Sequence, residues 1–176
     1  MVYNGITNGI TINDSILVKG KIAVIQCEDP ELPESTTVSE GLLHYEYKGT
    51  ARRIVTLADV SNPNGSEKVH AKALWDTGAT ESGISAELAD MLGLRPIPGV
   101  SHVSLGITGD PVETDLHKVN LDLNGVVKKK ELVVVRHAGL SSQKVDFVIG
   151  MDIISEGRFT IDSSSGNIQL TFELNK

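Results

Sequence analysis

Apolar side chains occur along the chain in short runs separated by Gly, Pro, Asn and Ser. Short runs rich in β-branched side chains and bounded by such turn formers are typical of β-strands. The spacing therefore predicts a mainly β domain with mostly antiparallel strands. The predicted strand segments are LVKGKIAVIQ (17–26), RRIVTLADV (52–60), VHAKALW (69–75), ETDLHKVNLDL (113–123), KELVVVRH (130–137), DFVIG (146–150), RFTID (158–162) and NIQLTFEL (167–174).

Turn-forming residues join several of these runs. NPNG (62–65), LNG (123–125) and SSSGN (163–167) each lie between two apolar runs and contain residues that tolerate a positive φ, which predicts three hairpins. In the last strand, apolar and polar residues alternate, so one face is expected to be buried. The apolar positions of that strand are Ile168, Leu170, Phe172 and Leu174.

Helical patterns are scarce. SAELADMLGL (85–94) predicts one short helix, with Ser85 as its cap, Glu87 in the first turn and Gly93 as its stop. Its apolar side is expected to contain Leu88, Met91 and Leu92.

A second helix of one or two turns is predicted over MDIISEG (151–157), with Asp152 as its cap and Gly157 at its end. Strands still dominate, so the predicted fold class is mainly β with one or two short helices.

The segment CEDPELPESTTVSEG (27–41) contains two prolines, five acidic residues and few apolar side chains, which is typical of a linker or a long exposed loop. It divides the chain into an N-terminal extension with this linker, residues 1–40, and a main domain, residues 41–176. The extension could be a pro-segment removed by self-cleavage, a pair of added strands that covers a sheet edge, or a partner-binding piece.

Composition narrows the functional classes. The chain has 176 residues and a formal net charge of −7, with no basic stripe and few aromatic side chains, so no nucleic-acid partner is expected. Its apolar runs are too short to span a bilayer, and its start lacks the features of a signal peptide. We therefore expect no membrane association and a cytoplasmic location, with which the single cysteine, Cys27, is compatible.

Several common catalytic and metal-binding motifs are absent from the sequence. It contains no Gly-x-Ser-x-Gly elbow, no phosphate loop ending in Gly-Lys, no His-Glu-x-x-His and no cysteine pair. The five histidines are scattered without the spacing of metal ligands, so no metal site is expected. They are His44, His70, His102, His117 and His137.

One acidic residue remains as a candidate for chemistry. Asp76 directly follows the apolar run ALW, and Thr77 and Gly78 let the chain turn so that backbone N–H groups point at its carboxylate. Such a carboxylate is held rigidly. By itself, Asp-Thr-Gly favours an ordinary Asx-type turn that closes a hairpin.

The surrounding sequence resembles the retropepsin-like (retroviral-type) aspartic proteases, in particular their cellular and bacterial branch. ALWDTGATESGIS is similar to the catalytic loop, SLGITGDPVE to the flap tip, DFVIGMDIISEG to the segment that supports the loop, and FTIDSSSGNIQLTFE to the closing strands. The resemblance covers about residues 50 to 176. It implies a closed antiparallel β domain with one lobe per chain.

The resemblance also implies a mechanism and a partner. Aspartic proteases activate water between two carboxylates that share a proton, and Asp-Thr-Gly occurs once in this chain. The second carboxylate must then come from another copy, so the resemblance implies a homodimer with two Asp76 side chains at its twofold axis. The expected substrate is a peptide or protein, and no cofactor is expected.

Further site residues follow from the same resemblance. Thr77 would lock the two loops together across the axis, and Gly78 would line the substrate backbone. Loop residues expected near the substrate are Gly78, Ala79, Thr80 and Glu81. The expected flap residues are Leu105, Gly106, Ile107, Thr108 and Gly109. The structural residues are Gly150, which would let its strand pass close behind the loop, and Asp152, the expected helix cap.

Some alternatives stay open at this point. Trp75 could pack beneath the loop or bear on the dimer contact. The last strand could join a dimer sheet, which we slightly prefer, or close the core of its own subunit. The main rival function is a dimeric peptide-binding module of the same fold without catalysis. A β domain with a coincidental turn at Asp76 would require the flap and VIGMD segments to lie far from that turn.

Overall fold

The computed structural model describes residues 15–18, 21–24, 31–49, 51–105 and 111–175. These residues form thirteen strands, two short α-helices and a 3-10 turn at Ser141–Gln143. The strands are β1 (Ser15–Val18), β2 (Lys21–Val24), β3 (Ser35–Ser39), β4 (Leu42–Tyr47), β5 (Val55–Ser61), β6 (Lys68–Trp75), β7 (Gly83–Ser85), β8 (Ser101–Leu105), β9 (Pro111–Leu123), β10 (Val127–His137), β11 (Phe147–Ile149), β12 (Gly157–Asp162) and β13 (Ile168–Leu174). The helices are α1 (Ala86–Met91) and α2 (Met151–Ile154).

Six strands close into a barrel. Their order is β10-β7-β11-β6-β5-β9, and antiparallel pairing of β9 with β10 completes the ring. Strand β8 is added outside the ring as a partner of β9. Most pairs are antiparallel, but β7 with β10 and β6 with β11 are parallel. The prediction of a mainly β, closed domain is confirmed. The two parallel pairs were not predicted, because they join strands that no local sequence pattern connects.

A second sheet, in the order β12-β13-β4-β3, packs against the barrel. The indole of Trp75 at the end of β6 lies with its centroid 5.4 Å from the ring of Phe159 and 5.3 Å from that of Phe172. Leu170 and Phe172 on β13 are fully buried, which confirms the predicted alternation of that strand. Trp75, Leu170 and Phe172 therefore join the two sheets in one apolar core.

Strand β13 has both edges paired within its own chain. It is antiparallel to β12 on one side and to β4 on the other. The preference for a dimer sheet at this strand is therefore wrong: β13 closes the core of its own subunit.

The predicted turns form the expected hairpins. Residues 62–67 join β5 to β6, residues 124–126 join β9 to β10, and residues 163–167 join β12 to β13. Asn124 and Gly125 have φ values of 49° and 79°, as the turn chemistry predicts. The first predicted segment, residues 17–26, is divided between β1 and β2, which pair with each other as a separate hairpin.

Helix α1 forms where the sequence predicts it. The Ser85 side chain accepts a hydrogen bond from the backbone N–H of Leu88, and Gly93 follows the helix with a φ of 59°. The predicted apolar side is wrong at Met91, whose side chain is 65% exposed. Ala89 is buried in its place, because the helix presents only one short turn to the core.

Helix α2 also forms, but its predicted ends are wrong. Gly150 is the N-cap residue, with no side-chain capping bond, and Asp152 lies inside the first turn. The helix ends at Ile154, and Gly157 begins β12. A Cβ on Gly157 would overlap with the backbone oxygen of Glu173 on β13, so this glycine permits close strand pairing.

The predicted linker is partly a strand. Its residues 35–39 form β3, which is exposed throughout and pairs with β4 at the edge of the second sheet. The division of the chain between residues 40 and 41 stays a prediction. In the part of the chain that the structure describes, neither helix has the length or apolarity needed to cross a membrane.

Candidate active site

The end of strand β6 places Asp76 at the surface of the barrel. The backbone N–H of Trp75 donates to the carbonyl of Ile54 (2.9 Å), and that of Asp76 donates to the carbonyl of Ile149 (3.0 Å). β6 thus keeps a partner on each side up to the first residue of the loop. The backbone of Asp76 is fixed by the barrel.

The carboxylate of Asp76 is held by its own loop. The backbone N–H of Gly78 donates to Oδ1 of Asp76 at 2.8 Å, and the N–H of Ala79 donates to the Asp76 carbonyl at 3.2 Å. The N–H group that the sequence predicts to point at the carboxylate is therefore present. Asp76 is half-buried and Thr77 and Gly78 are exposed, so the carboxylate lies at an accessible surface.

The second half of the loop is bound to α2. The carbonyl of Ala79 accepts from the N–H of Met151 (2.8 Å), and the carbonyl of Thr80 accepts from the N–H of Asp152 (3.2 Å). These are N–H groups at the start of a helix, which have no partner inside it. The loop carbonyls satisfy them, so the loop and α2 hold each other in place.

Ser82 joins the same elements from inside. Its hydroxyl donates to Oδ1 of Asp152 at 2.8 Å, and its oxygen accepts from the N–H of Gly150 at 3.1 Å. The prediction that Asp152 caps α2 is therefore wrong. Asp152 lies inside the first turn, and its carboxylate accepts a hydrogen bond from Ser82. Ser82 was not predicted as a site residue, since nothing in its neighbours marks it as buried.

Gly150 lies directly behind the loop. A Cβ at this position would be 2.6 Å from the carbonyl carbon of Glu81 and 2.9 Å from the nitrogen of Ser82. The close approach of this strand to the loop, expected from the sequence, therefore requires glycine.

Trp75 lies in the core at the end of β6, directly before the loop. It is 5% exposed, and its indole N–H donates to the hydroxyl of Thr56 at 3.0 Å. This burial favours packing inside the subunit, the first of the two alternatives that the sequence left open for this residue.

The side chains of Thr80 and Glu81 are at the surface, and Glu81 has a partner that the sequence did not indicate. Its Oε2 lies 3.1 Å from Nδ1 of His102 on β8. His137, at the end of β10, lies against Gly83, the first residue of β7. Burial, and to a smaller extent the charge of His102, holds the pKa of His137 below its usual range. Two histidines that look scattered in the sequence thus lie near residues 81–83, His102 against Glu81 and His137 against Gly83.

The predicted flap is at the end of the hairpin formed by β8 and β9. The two strands pair up to Leu105 and Pro111. Gly106, Ile107, Thr108 and Gly109 lie outside the described residues, so the flap stays a prediction. The VIGMD segment does lie against the Asp76 loop, which argues against a coincidental turn.

Two surface cavities lie elsewhere. One, of about 340 Å³, is lined by residues that include Arg95 and Lys118, and the other, of about 220 Å³, by residues that include Tyr45 and His70. Neither is lined by the Asp76 loop, which is open to solvent. Within the described ranges, no group of His, Cys, Asp and Glu side chains is arranged to hold a metal ion.

The chain has been compared with known proteins at the levels of family and structure. Residues 58–153 match the family described as aspartyl protease, which is more than half of the chain. No curated protein matches the sequence.

Two solved structures are similar to the chain at low identity. A retropepsin-like aspartic protease from Rickettsia conorii has 15% sequence identity and a TM-score of 0.46, with 79% of this chain and 98% of that chain covered. The retroviral protease-like domain of Ddi1 from Leishmania major has 17% identity and a TM-score of 0.39, with 68% and 93% covered. Because the family match covers more than half of the chain, the chain belongs to the aspartyl protease family.

Proposed function

We propose that the protein is an aspartic endopeptidase that works as a homodimer and cleaves peptide bonds with water activated between two Asp76 carboxylates, one from each chain. The observation that carries the proposal is the accessible carboxylate of Asp76, which a backbone N–H holds in a loop fixed by β6, β11 and α2. Membership of the aspartyl protease family supports the same function.

The chemistry needs two carboxylates in different protonation states. One removes a proton from water, which then attacks the carbonyl carbon of the peptide bond. The other, protonated, gives its proton to the carbonyl oxygen and forms a gem-diol; transfer of a proton to the peptide nitrogen then accompanies C–N cleavage. Because each chain has one Asp-Thr-Gly turn, a twofold axis beside Asp76 would supply the second carboxylate.

The remaining loop residues fit roles around that pair. The exposed Thr77 would meet its copy across the axis, and Gly78 to Glu81 would lie along an extended peptide. The hairpin of β8 and β9, with the predicted flap at its tip, would form the wall above the peptide. No cofactor takes part in this mechanism.

A comparison of the wild type with Asp76→Asn tests catalysis. Both are incubated with a denatured protein mixture from acidic to neutral pH, and new termini are identified by mass spectrometry. We expect cleavage by the wild type and by Asp162→Asn, a control carboxylate that accepts a hydrogen bond from Ser164 in its own hairpin turn. Cleavage that persists in Asp76→Asn would exclude the mechanism. Peptide binding without cleavage by the wild type would favour the non-catalytic binding module.

A mixing experiment tests whether two chains share the site. Wild type and Asp76→Asn are combined in varying ratios and left until subunits exchange, which sedimentation with a labelled chain can follow. If every active pair needs two intact carboxylates, equal mixing leaves about a quarter of the activity and the loss follows the square of the wild-type fraction. A linear loss after exchange, or an active monomer, would contradict the shared site.

A further inference from the structure

Strand β8 depends on side chains for its contact with the Asp76 loop. Within the described residues it lies at the end of its sheet and pairs only with β9. Glu81 of the loop and His102 of β8 form an ion pair that connects the loop to this strand. Their side chains are 49% and 29% exposed. Since no backbone ladder joins the loop to β8, this ion pair is positioned to decide how the hairpin lies over the loop.

We propose that Glu81 and His102 are positioning residues that tether the hairpin of β8 and β9 to the Asp76 loop while His102 is protonated. The effect on peptide cleavage rests on the function proposed above, whereas the tether itself does not. Glu81, which the sequence places among the substrate contacts, would then act first on the hairpin and only through it on the peptide.

The tether has a limited pH range. An ion pair needs an ionised carboxyl group and a protonated imidazole. The attraction therefore weakens when the imidazole loses its proton or the carboxylate gains one.

Other ionisable groups near His102 do not replace Glu81. His137 on β10 interacts electrostatically with His102, and because burial lowers the pKa of His137, this second imidazole stays neutral to lower pH and competes little for the carboxylate. On β9 the residue opposite His102 is Thr114. Its acidic neighbours Glu113 and Asp115 project from the other face of the two-stranded ribbon.

Hydrogen exchange of the full chain tests the tether without reference to activity. Amide exchange in β8 and β9 is measured at about pH 5.5 and about pH 8, on either side of the ordinary imidazole pKa, with correction for the intrinsic rate. At the lower pH we expect Glu81→Gln and His102→Gln each to speed exchange about two- to fivefold, the range for a partly exposed ion pair. The double variant should exchange no faster than either single one, and the differences should shrink at the higher pH.

Two further variants separate the tether from a general loss of structure. His70→Gln removes an exposed histidine that pairs with Asp59 on the barrel, and it should leave exchange in β8 unchanged. The exchanged pair, Glu81→His with His102→Glu, should restore the protection that each single change removes. Unchanged exchange in both single variants, equal effects at both pH values, or failure of the exchanged pair to restore protection would overturn the proposal.

Kinetics then connect the tether to the proposed protease. In His102→Gln, a hairpin held less firmly should raise KM about two- to fivefold near pH 5.5 with kcat maintained, whereas a smaller folded fraction would lower the apparent kcat and leave KM unchanged. If the exchange results hold but the wild type cleaves nothing, the proposed function fails and the tether stands. If the wild type cleaves but neither exchange nor KM responds to the variants, the tether fails and the protease stands.

Discussion

Asp76 depends for its position on a small set of residues around its loop, and Ser82 makes two of the contacts. Its hydroxyl connects the carboxylate of Asp152 to the backbone of Gly150, in a position with no solvent exposure. A buried polar group that loses its partner cannot turn to water instead. The loop is therefore expected to be sensitive to the loss of a single oxygen atom.

We expect Ser82→Ala to lower the free energy of unfolding by about 1–3 kcal/mol, because the N–H of Gly150 and one oxygen of Asp152 lose their partner. Urea denaturation measures the change. Ser155→Ala, which alters an exposed serine at the end of α2, should stay within about 0.5 kcal/mol of the wild type. Equal values for the two variants would show that the buried hydroxyl contributes nothing.

His117 on β9 is a second sensitive residue. It is 1% exposed, and among the described residues neither ring nitrogen has a hydrogen-bond partner. Burial lowers the pKa of His117 and outweighs the polar influence of the Arg95 backbone, which raises it. The unfolded chain therefore takes up a proton at a higher pH than the folded one.

This difference sets a sign for the pH dependence of stability. Below the ordinary imidazole pKa of about 6.5, the unfolded state binds the proton first, so stability falls as the pH decreases until the folded state is protonated as well. His117→Leu removes this proton. The variant should gain stability relative to the wild type as the pH falls from about 7 to about 5, as measured by thermal unfolding. A difference that does not vary with pH would contradict the assignment.

At the scale of elements, the sequence correctly predicted features that depend on residues close together in the chain. The hairpin at Asn124 and Gly125, the cap at Ser85 and the hydrogen bond from Gly78 to Asp76 all lie within a few residues of chain. The strands β3, β4, β7 and β8 were not among the predicted strand segments.

Long-range partners could not be predicted from the same patterns. Met91 has the spacing of a core residue but faces solvent, because tertiary packing decides which side of a short helix is covered. The pairs Glu81 with His102 and Ser82 with Asp152 join residues from different elements. Their formation depends on how the barrel closes, about which the residues themselves carry no local signal.

The contact of β11 with the loop provides a prediction about elements. A methyl group at position 150 would lie 2.6 Å from the backbone of Glu81, so Gly150→Ala must push the strand and the loop apart. We expect the free energy of unfolding, measured by urea denaturation, to fall by about 1–3 kcal/mol. Gly139→Ala is the matched control, since a Cβ there would meet nothing within 4 Å. Similar stability of the two variants would mean that the loop moves away without cost.

At the scale of the whole molecule, the barrel and the second sheet share one core. Trp75 is the single tryptophan of the chain, and it stacks on Phe159 and contacts Phe172 from the other sheet. Its fluorescence therefore reports on the junction between the two layers, while circular dichroism reports on the strands of both.

We expect the two signals to change together in a denaturant titration, because neither sheet keeps its apolar face covered without the other. Phe172→Ala should lower stability by about 3–5 kcal/mol and shift both transitions equally. Ile161→Ala, which truncates a side chain that is 50% exposed on the same sheet, should have a much smaller effect. Two separate transitions in the wild type would show that the sheets unfold independently.

The strands that cover Trp75 also impose an order on biosynthesis. The ribosome makes the Asp76 turn well before it makes β12 and β13, which supply Phe159 and Phe172. A nascent chain that has reached only α2 therefore has its turn but an uncovered indole beneath it. If the proposed activity is correct, we expect the growing chain to become active only after β12 and β13 have left the exit tunnel and covered the indole.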